Sequence, residues 1–177
     1  MEKIEYEREI YYFLGDKFVD SSFLDVSENM SKKLFENHFK INYKTLTEKQ
    51  ALEFLKQAKQ MKAYDTCKDI CFWILDNTED PNMTKKILPI LTSTLRALKN
   101  PKKAIEIAQE FTDKQKCDSA ALWASVAMAY YDLFDYKNAL SFVNLAKRKE
   151  RKPQEDNLIF ALEIKIKKAL GIYEKEE

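Results

Sequence analysis

The chain has 177 residues, of which 45% are apolar, enough to build one ordinary domain or a short array of repeats. Its 30 basic and 29 acidic residues leave a formal net charge of +1, so the whole chain has no electrostatic attraction to nucleic acid or to an anionic membrane. Only two glycines and four prolines occur, which argues against an all-β fold with its many tight turns.

The sequence also bears on where the protein works. The N-terminus is acidic and lacks the apolar run of a secretory signal, and the longest apolar stretch, residues 120–131, is too short to cross a membrane. The three cysteines have no framework spacing, so we interpret them as reduced thiols. We therefore expect a cytoplasmic protein without membrane contact.

Four consecutive segments share one pattern of small and bulky apolar residues. In each segment, a small residue lies near the start of a second helix, where two helices would cross at close range. These residues are Ser27, Cys67, Ala104 and Ala139, at spacings of 40, 37 and 35 residues. The spacings predict helix–turn–helix units at about residues 8–41, 48–81, 85–118 and 120–153.

The fourth unit carries the clearest pattern. Its apolar residues stand at the offsets needed to pack two antiparallel helices: Trp123, Val126, Ala127 and Tyr130, then Tyr136, Ala139, Val143 and Ala146. This pattern resembles a tetratricopeptide repeat, a unit of about 34 residues. The resemblance implies an all-α, right-handed α-solenoid of about nine helices with no sheet, which forms a single domain over residues 1–177.

The first unit resembles the family in its first helix only. Tyr11, Leu14, Gly15 and Phe18 have the aromatic, leucine, glycine, aromatic spacing that the first helix of the repeat favours. We therefore predict a helix across these residues, followed by a less typical second helix.

A further amphipathic helix follows the fourth unit. Leu158, Ala161, Ile164 and Leu170 recur at helical spacing, and we predict a capping helix over about residues 154–170. Three lysines, at positions 165, 167 and 168, would give it a polar outer face, and Gly171 would end it.

Prolines mark two predicted helix starts. Pro81 and Pro101 follow Asp80 and Asn100, and a proline at the first helical position loses no hydrogen bond. Pro89 falls inside the first helix of the third unit, where we expect a kink or a later start.

Cysteine and histidine do not form a recognisable catalytic or metal site. Cys67 and Cys71 lie four residues apart on one helix face, but Cys117 and His38 stand at no zinc-site spacing from them. Buried structural thiols are the favoured interpretation, and His38 is expected to be partly exposed at a helix end. Since catalytic motifs and glycine-rich phosphate loops are also lacking in the sequence, we expect neither catalysis nor a cofactor or metal.

The resemblance also implies where a partner would bind. In such arrays the first helices of successive units line a concave groove, which in this chain would be basic at its centre and apolar at one wall. Such a surface suits a protein or peptide segment with acidic and apolar side chains. The groove residues carried over are Tyr12, Asp16, Lys56, Lys59, Ser93, Arg96, Met128 and Tyr131, with Leu52 and Ala124 beside them.

The sequence is consistent with three functions. The first is a non-enzymatic scaffold or adaptor that binds a protein or peptide in the groove. The second is a helical nucleic-acid-associated protein that uses the basic run 147–152 together with Lys165 to Lys168. The third is the regulatory module of an enzyme. The near-neutral charge favours the first over the second, and the sequence does not determine the oligomeric state.

Overall fold

The computed structural model describes residues 1–42, 46–115, 117–150 and 152–172, and its contacts divide the chain into two compact units. We call residues 1–77 the N-terminal unit and residues 78–177 the C-terminal unit. The described residues form eight helices and one three-stranded sheet. The predicted class of helical repeats is confirmed, whereas the expectation of no sheet is wrong. That residues 1–177 form a single domain stays a prediction.

The N-terminal unit begins with the sheet and continues with helices. The strands are β1 (Glu2–Tyr6), β2 (Glu9–Phe13) and β3 (Phe18–Asp20), and the helices are α1 (Glu28–Asn42), α2 (Glu48–Gln60) and α3 (Tyr64–Asn77). Among the described residues of the C-terminal unit, all the regular secondary structure is α-helix. It contains α4 (Pro81–Ala97), α5 (Pro101–Gln115), α6 (Ala120–Asp132), α7 (Tyr136–Lys147) and α8 (Pro153–Ala169).

The sheet replaces the predicted first helix of the first unit. Its strands are antiparallel in the order β1-β2-β3, with Tyr11 opposite both Ile4 and Asp20. Aromatic and β-branched residues fill residues 10–13 and 18–19, and these side chains fit a half-buried pleated surface better than a helix. Gly15, at φ +104°, belongs to the turn between β2 and β3.

This sheet overturns three of the first unit's predicted roles. Tyr12 lies on β2 and stacks on Phe23, with ring centroids 5.2 Å apart, and Asp16 is exposed in the following turn. Ser27 is exposed and caps α1, since its hydroxyl accepts from the Met30 N–H at 3.2 Å. It is therefore not the small residue of a helix crossing.

The remaining helices form consecutive pairs. The pairs α2–α3, α4–α5 and α6–α7 correspond to the second, third and fourth units, and α8 corresponds to the predicted capping helix. Pro81 and Pro101 begin helices as predicted. Pro89 causes no late start, because α4 runs through it without a break in its helical assignment. From the neighbouring α6, the Ser125 hydroxyl donates to the Pro89 carbonyl oxygen at 3.3 Å.

The small residues of these three units lie where the alignment places them. Cys67, Ala104 and Ala139 have no exposed surface, and each lies near the start of the second helix of its pair. Bulky residues on the first helices of the same pairs are buried as well, among them Leu91 on α4 and Val126 on α6. A side chain no larger than a thiomethyl group at this position lets the two backbones approach closely.

The turns after α2, α4, α6 and α8 share one backbone conformation and one hydrogen-bond pattern. Lys62, Lys99, Phe134 and Gly171 all have a left-handed backbone, with φ between +53° and +71°. In each turn this residue's N–H bonds to the carbonyl three residues back, and the next N–H bonds to the carbonyl five residues back. This is the Schellman motif. Helix α8 ends as α2, α4 and α6 do, so it has the form of the first helix of a further unit.

The first prediction concerns Lys62 in this turn. A left-handed backbone strains a residue with a Cβ but not glycine, so Lys62→Gly should raise the free energy of unfolding by about 0.5–1 kcal/mol. Lys56→Gly in the interior of α2 is the matched control and should lower it by about 1 kcal/mol. Urea unfolding of both variants checks this. A loss of stability in both would contradict the role of the turn.

The second prediction concerns Ala139. Because Ala139 is fully buried near the start of α7, Ala139→Leu inserts volume where no space exists and should lower the free energy of unfolding by about 1–3 kcal/mol. The urea midpoint of this variant checks the expectation. An unchanged midpoint would mean that Ala139 does not lie at a tight helix crossing.

A groove between α4 and α6 as candidate functional site

Predicted groove residues of the C-terminal unit lie close together. Ser93 and Arg96 on α4 and Tyr131 on α6 line a groove of about 600 Å³. Met128 lies one turn before Tyr131 and contacts Arg96. The other lining residues described are Ala97, Lys99, Pro101, Asp132 and Phe134.

Arg96 is held in place at the groove by two neighbours on α6. Its Nε donates to Asp132 Oδ2 at 2.7 Å, and its Nη1 lies 3.0 Å from Met128 Sδ. The guanidinium is mostly buried, so its orientation is fixed by these contacts and its stem packs along the groove. Asp132 offsets its charge, and this pair links α4 to α6.

Tyr131 connects the groove to α8. The ammonium of Lys165 lies 4.5 Å above the centroid of the Tyr131 ring, a cation–π arrangement. The same ring contacts Tyr136 at the start of α7, with centroids 5.2 Å apart. Tyr131 is half-buried, so part of its surface remains accessible from the groove.

Sequence reasoning missed three residues of this site. Lys99 and Phe134 occupy the left-handed position of the turns that follow α4 and α6, and both line the groove. The recurrence of this turn along the chain is the signal that could have found them. Lys165 was assigned to the nucleic-acid hypothesis, because nothing in the sequence places it over Tyr131.

Other predicted groove residues do not join this site. Tyr12 and Asp16 belong to the sheet region, and Lys56 and Lys59 lie exposed on α2 of the N-terminal unit. Ala124 is buried, so it does not contribute to an accessible wall. A binding role for Lys56 and Lys59 stays a prediction.

Two lysines of the basic run at the end of α7, and Lys167 on α8, pair with acidic side chains. Lys147 Nζ lies 2.8 Å from Glu163 Oε2, and Lys167 Nζ lies 3.2 Å from Glu163 Oε1. Lys149 pairs with Asp118, whose other carboxylate oxygen accepts from the Trp123 indole. Arg151 lies outside the described residues. Lys147 thereby links α7 to α8, Lys149 links the segment after α7 to the segment before α6, and Lys167 pairs within α8, which leaves less of their charge for phosphate groups.

Glu163 is the centre of this ion-pair cluster. The residue is 8% exposed, and hydrogen bonds from Lys147 and Lys167 hold the pKa of its carboxyl below the usual range, although burial opposes the shift. A lowered pKa in the folded state stabilises the fold above the unfolded pKa of about 4.3, and this contribution is lost as the pH falls through the folded pKa.

The third prediction follows from this cluster. Glu163→Gln removes the charge that both lysines contact and should lower the free energy of unfolding at pH 7 by about 1–2 kcal/mol. The difference from the wild type should shrink as the pH falls below the unfolded pKa of about 4.3 and through the lowered pKa of the folded wild-type carboxyl. Glu106→Gln, which removes an exposed pair with Lys103, is the control and should have little effect. Equal effects of the two variants, measured by urea unfolding across pH, would contradict this role of Glu163.

The thiols are buried as predicted. Cys67 and Cys71 have no exposed surface, and burial raises the pKa of Cys67 to about 11 and that of Cys71 still further. Burial also raises the pKa of Cys117. Protonated thiols are poor nucleophiles and poor metal ligands. Within the described ranges, no three histidine, cysteine or carboxylate residues are grouped as a metal site would require.

The prediction of a partly exposed His38 is wrong. The residue is 7% exposed, and its ring lies 6.1 Å from that of Phe13 and 5.5 Å from that of Phe54. Its Nε2 is 3.5 Å from Glu2 Oε2. Because strands precede α1 where a helix was expected, His38 packs among aromatic rings contributed by the sheet and by α2.

Comparison with known proteins supports the fold. No family model matches the chain, and no curated protein gives a significant match. Among solved structures, the chain is similar to the crystal structure of the P58(IPK) TPR domain, with a TM-score of 0.58 and 14% sequence identity. The match covers 84% of this chain and 44% of that chain, so this chain spans less than half of the other's length.

At this identity the likeness shows the fold alone, a series of helical repeats like those of a tetratricopeptide domain. No helix among the described residues has the length and apolar character needed to cross a membrane.

Proposed function

We propose that the chain is a non-enzymatic adaptor that binds a protein or peptide segment in the groove between α4 and α6. One observation carries the proposal: first helices of successive repeats place Ser93, Arg96 and Tyr131 around one groove of about 600 Å³. This volume is enough for a few side chains of an extended or helical segment.

The composition of the groove supports a protein partner. Tyr131 and Phe134 offer aromatic surface, and Arg96, with its guanidinium already oriented, offers donors to carboxylates or carbonyl groups. Tyrosine and arginine are the residue types that most often dominate binding energy at protein interfaces. The protonated state of the buried thiols and the helical-repeat fold both accord with binding in place of catalysis.

The nucleic-acid alternative is less well supported. Lys147, Lys149 and Lys167, which belong to its two basic segments, pair with Glu163 or Asp118, and Lys165 lies on Tyr131. A phosphate-binding surface would need these cations available to the ligand. The adaptor that we propose would be located in the cytoplasm.

The fourth prediction tests the groove. Tyr131→Ala should weaken binding of a partner captured from native cells at least tenfold, whereas Lys56→Ala should change it less than about threefold at physiological salt. Tyr64→Ala, which truncates a half-buried tyrosine on α3, is the matched control and should leave affinity unchanged. Calorimetric titration of the folded variants measures all three.

The nucleic-acid hypothesis predicts a different outcome for the same measurements. Arg148→Ala combined with Lys152→Ala would then abolish binding to generic RNA or DNA, with a steep dependence on salt. These two positions are chosen because Lys147 and Lys149 form ion pairs within the fold. If only this double variant loses binding, the groove does not carry the function.

A further inference from the structure

Phe134 occupies a position where a phenylalanine gives the fold no advantage. It lies in the turn between α6 and α7 with φ +61°, in the left-handed region that strains any residue with a Cβ. The equivalent residues of the other three turns are Lys62, Lys99 and Gly171. Its side chain is 77% exposed, so burial in the core does not compensate for the strain.

Phe134 belongs to an exposed group of aromatic rings. Its ring meets that of Tyr136 edge to face, with centroids 6.3 Å apart, and Tyr136 in turn contacts Tyr131 at 5.2 Å. We call Tyr131, Phe134 and Tyr136 the aromatic ledge. Since Tyr131 and Phe134 both line the groove, the ledge forms one of its rims. A strained backbone and an exposed apolar ring at the rim of a groove together indicate a contact surface.

The charges around the ledge determine which ligand it suits. Lys99 lines the same groove, and Lys165 lies over the Tyr131 ring. Asp132, the single acidic residue among the described lining residues, is already paired with Arg96. Asp135, between Phe134 and Tyr136 in the chain, caps α7 by accepting from the Asn138 N–H. With Arg96, Lys99 and Lys165 against Asp132 and Asp135, the surroundings are net positive, and one face of the Tyr131 ring is occupied by the protein's own Lys165. A cationic ligand is disfavoured, and carboxylates are favoured.

We propose that the aromatic ledge anchors one large apolar side chain of an extended acidic peptide, with Phe134 as the principal contact. This inference rests on the proposed function and assigns the ligand's chemistry. The apolar side chain covers the exposed faces of Phe134 and Tyr136, and the neighbouring carboxylates face Lys99 and Lys165. Phe134 therefore contributes to affinity and reduces stability, two effects that can be separated by measurement.

The test uses pools of nine-residue peptides with blocked ends. The central residue is phenylalanine, leucine, alanine or lysine, and the flanking residues are all acidic or all basic. The full chain should bind the acidic pools with a central phenylalanine or leucine, and should not bind the alanine, lysine or basic pools. Fluorescence anisotropy measures each affinity.

Two substitutions at Phe134 separate the ring from the backbone. Phe134→Gly removes the ring and the strain, and Phe134→Lys removes the ring but installs the residue present at positions 62 and 99. Both should weaken binding of the favoured pools at least tenfold. Phe134→Gly should also raise the melting temperature. Lys62→Gly, the same backbone change in another turn, should raise the melting temperature without changing affinity.

Several results would overturn the proposal. These are binding of no pool, preference for a basic pool, unchanged affinity in both Phe134 variants, and a lower melting temperature for Phe134→Gly. Failure here is distinct from failure of the proposed function, which is judged with the captured partner. If Tyr131→Ala weakens that partner and the Phe134 variants do not, the groove binds but the ledge is not its anchor.

Discussion

Close approach between the two helices of each pair is the constraint on which the repeat structure depends. It requires a small residue near the start of the second helix, and Cys67, Ala104 and Ala139 meet this requirement with no surface left exposed. A larger side chain there would separate the backbones and shift the first helix. In the C-terminal unit this would displace the residues that α4 and α6 contribute to the groove. The geometry of the groove therefore depends on the packing of Ala104 and Ala139, which do not line it.

Much of the helical fold could be predicted from the sequence because each helix pair has a small residue near the start of its second helix. The spacing between Cys67, Ala104 and Ala139 located six helices, and Pro81 and Pro101 gave two of their starts. The helix predicted for the first unit is wrong because its residue pattern fits two kinds of structure. Tyr11, Leu14, Gly15 and Phe18 match the helical template, yet the same residues also satisfy a hairpin, with Gly15 in the turn.

The turn between β1 and β2 also could not be predicted from the sequence. Glu7 and Arg8 both have positive φ in the turn between β1 and β2, a conformation usually supplied by asparagine and glycine. The strand pairing on both sides holds this turn in place, and local sequence preference does not reveal it. Ser93, Arg96 and Tyr131, which helical spacing assigns to one face, line one groove in the structure, and their role in binding stays a prediction. The position of Lys165 over Tyr131 depends on how α8 packs, so helical spacing does not predict it.

The order of strands in the sheet has a consequence for self-association. Because β1 lies at an edge, its outer backbone groups lack a partner strand among the described residues and could pair with a strand of another molecule. Three of the five residues of β1 are charged, and two of them, Lys3 and Glu5, form an exposed ion pair, so a second strand approaching this edge would have to desolvate charges. At the opposite edge, the bridge between Val19 and Asp25 covers part of β3 with the chain's own loop. The two edges are thus protected against intermolecular sheet growth by different means, one by charge and one by coverage.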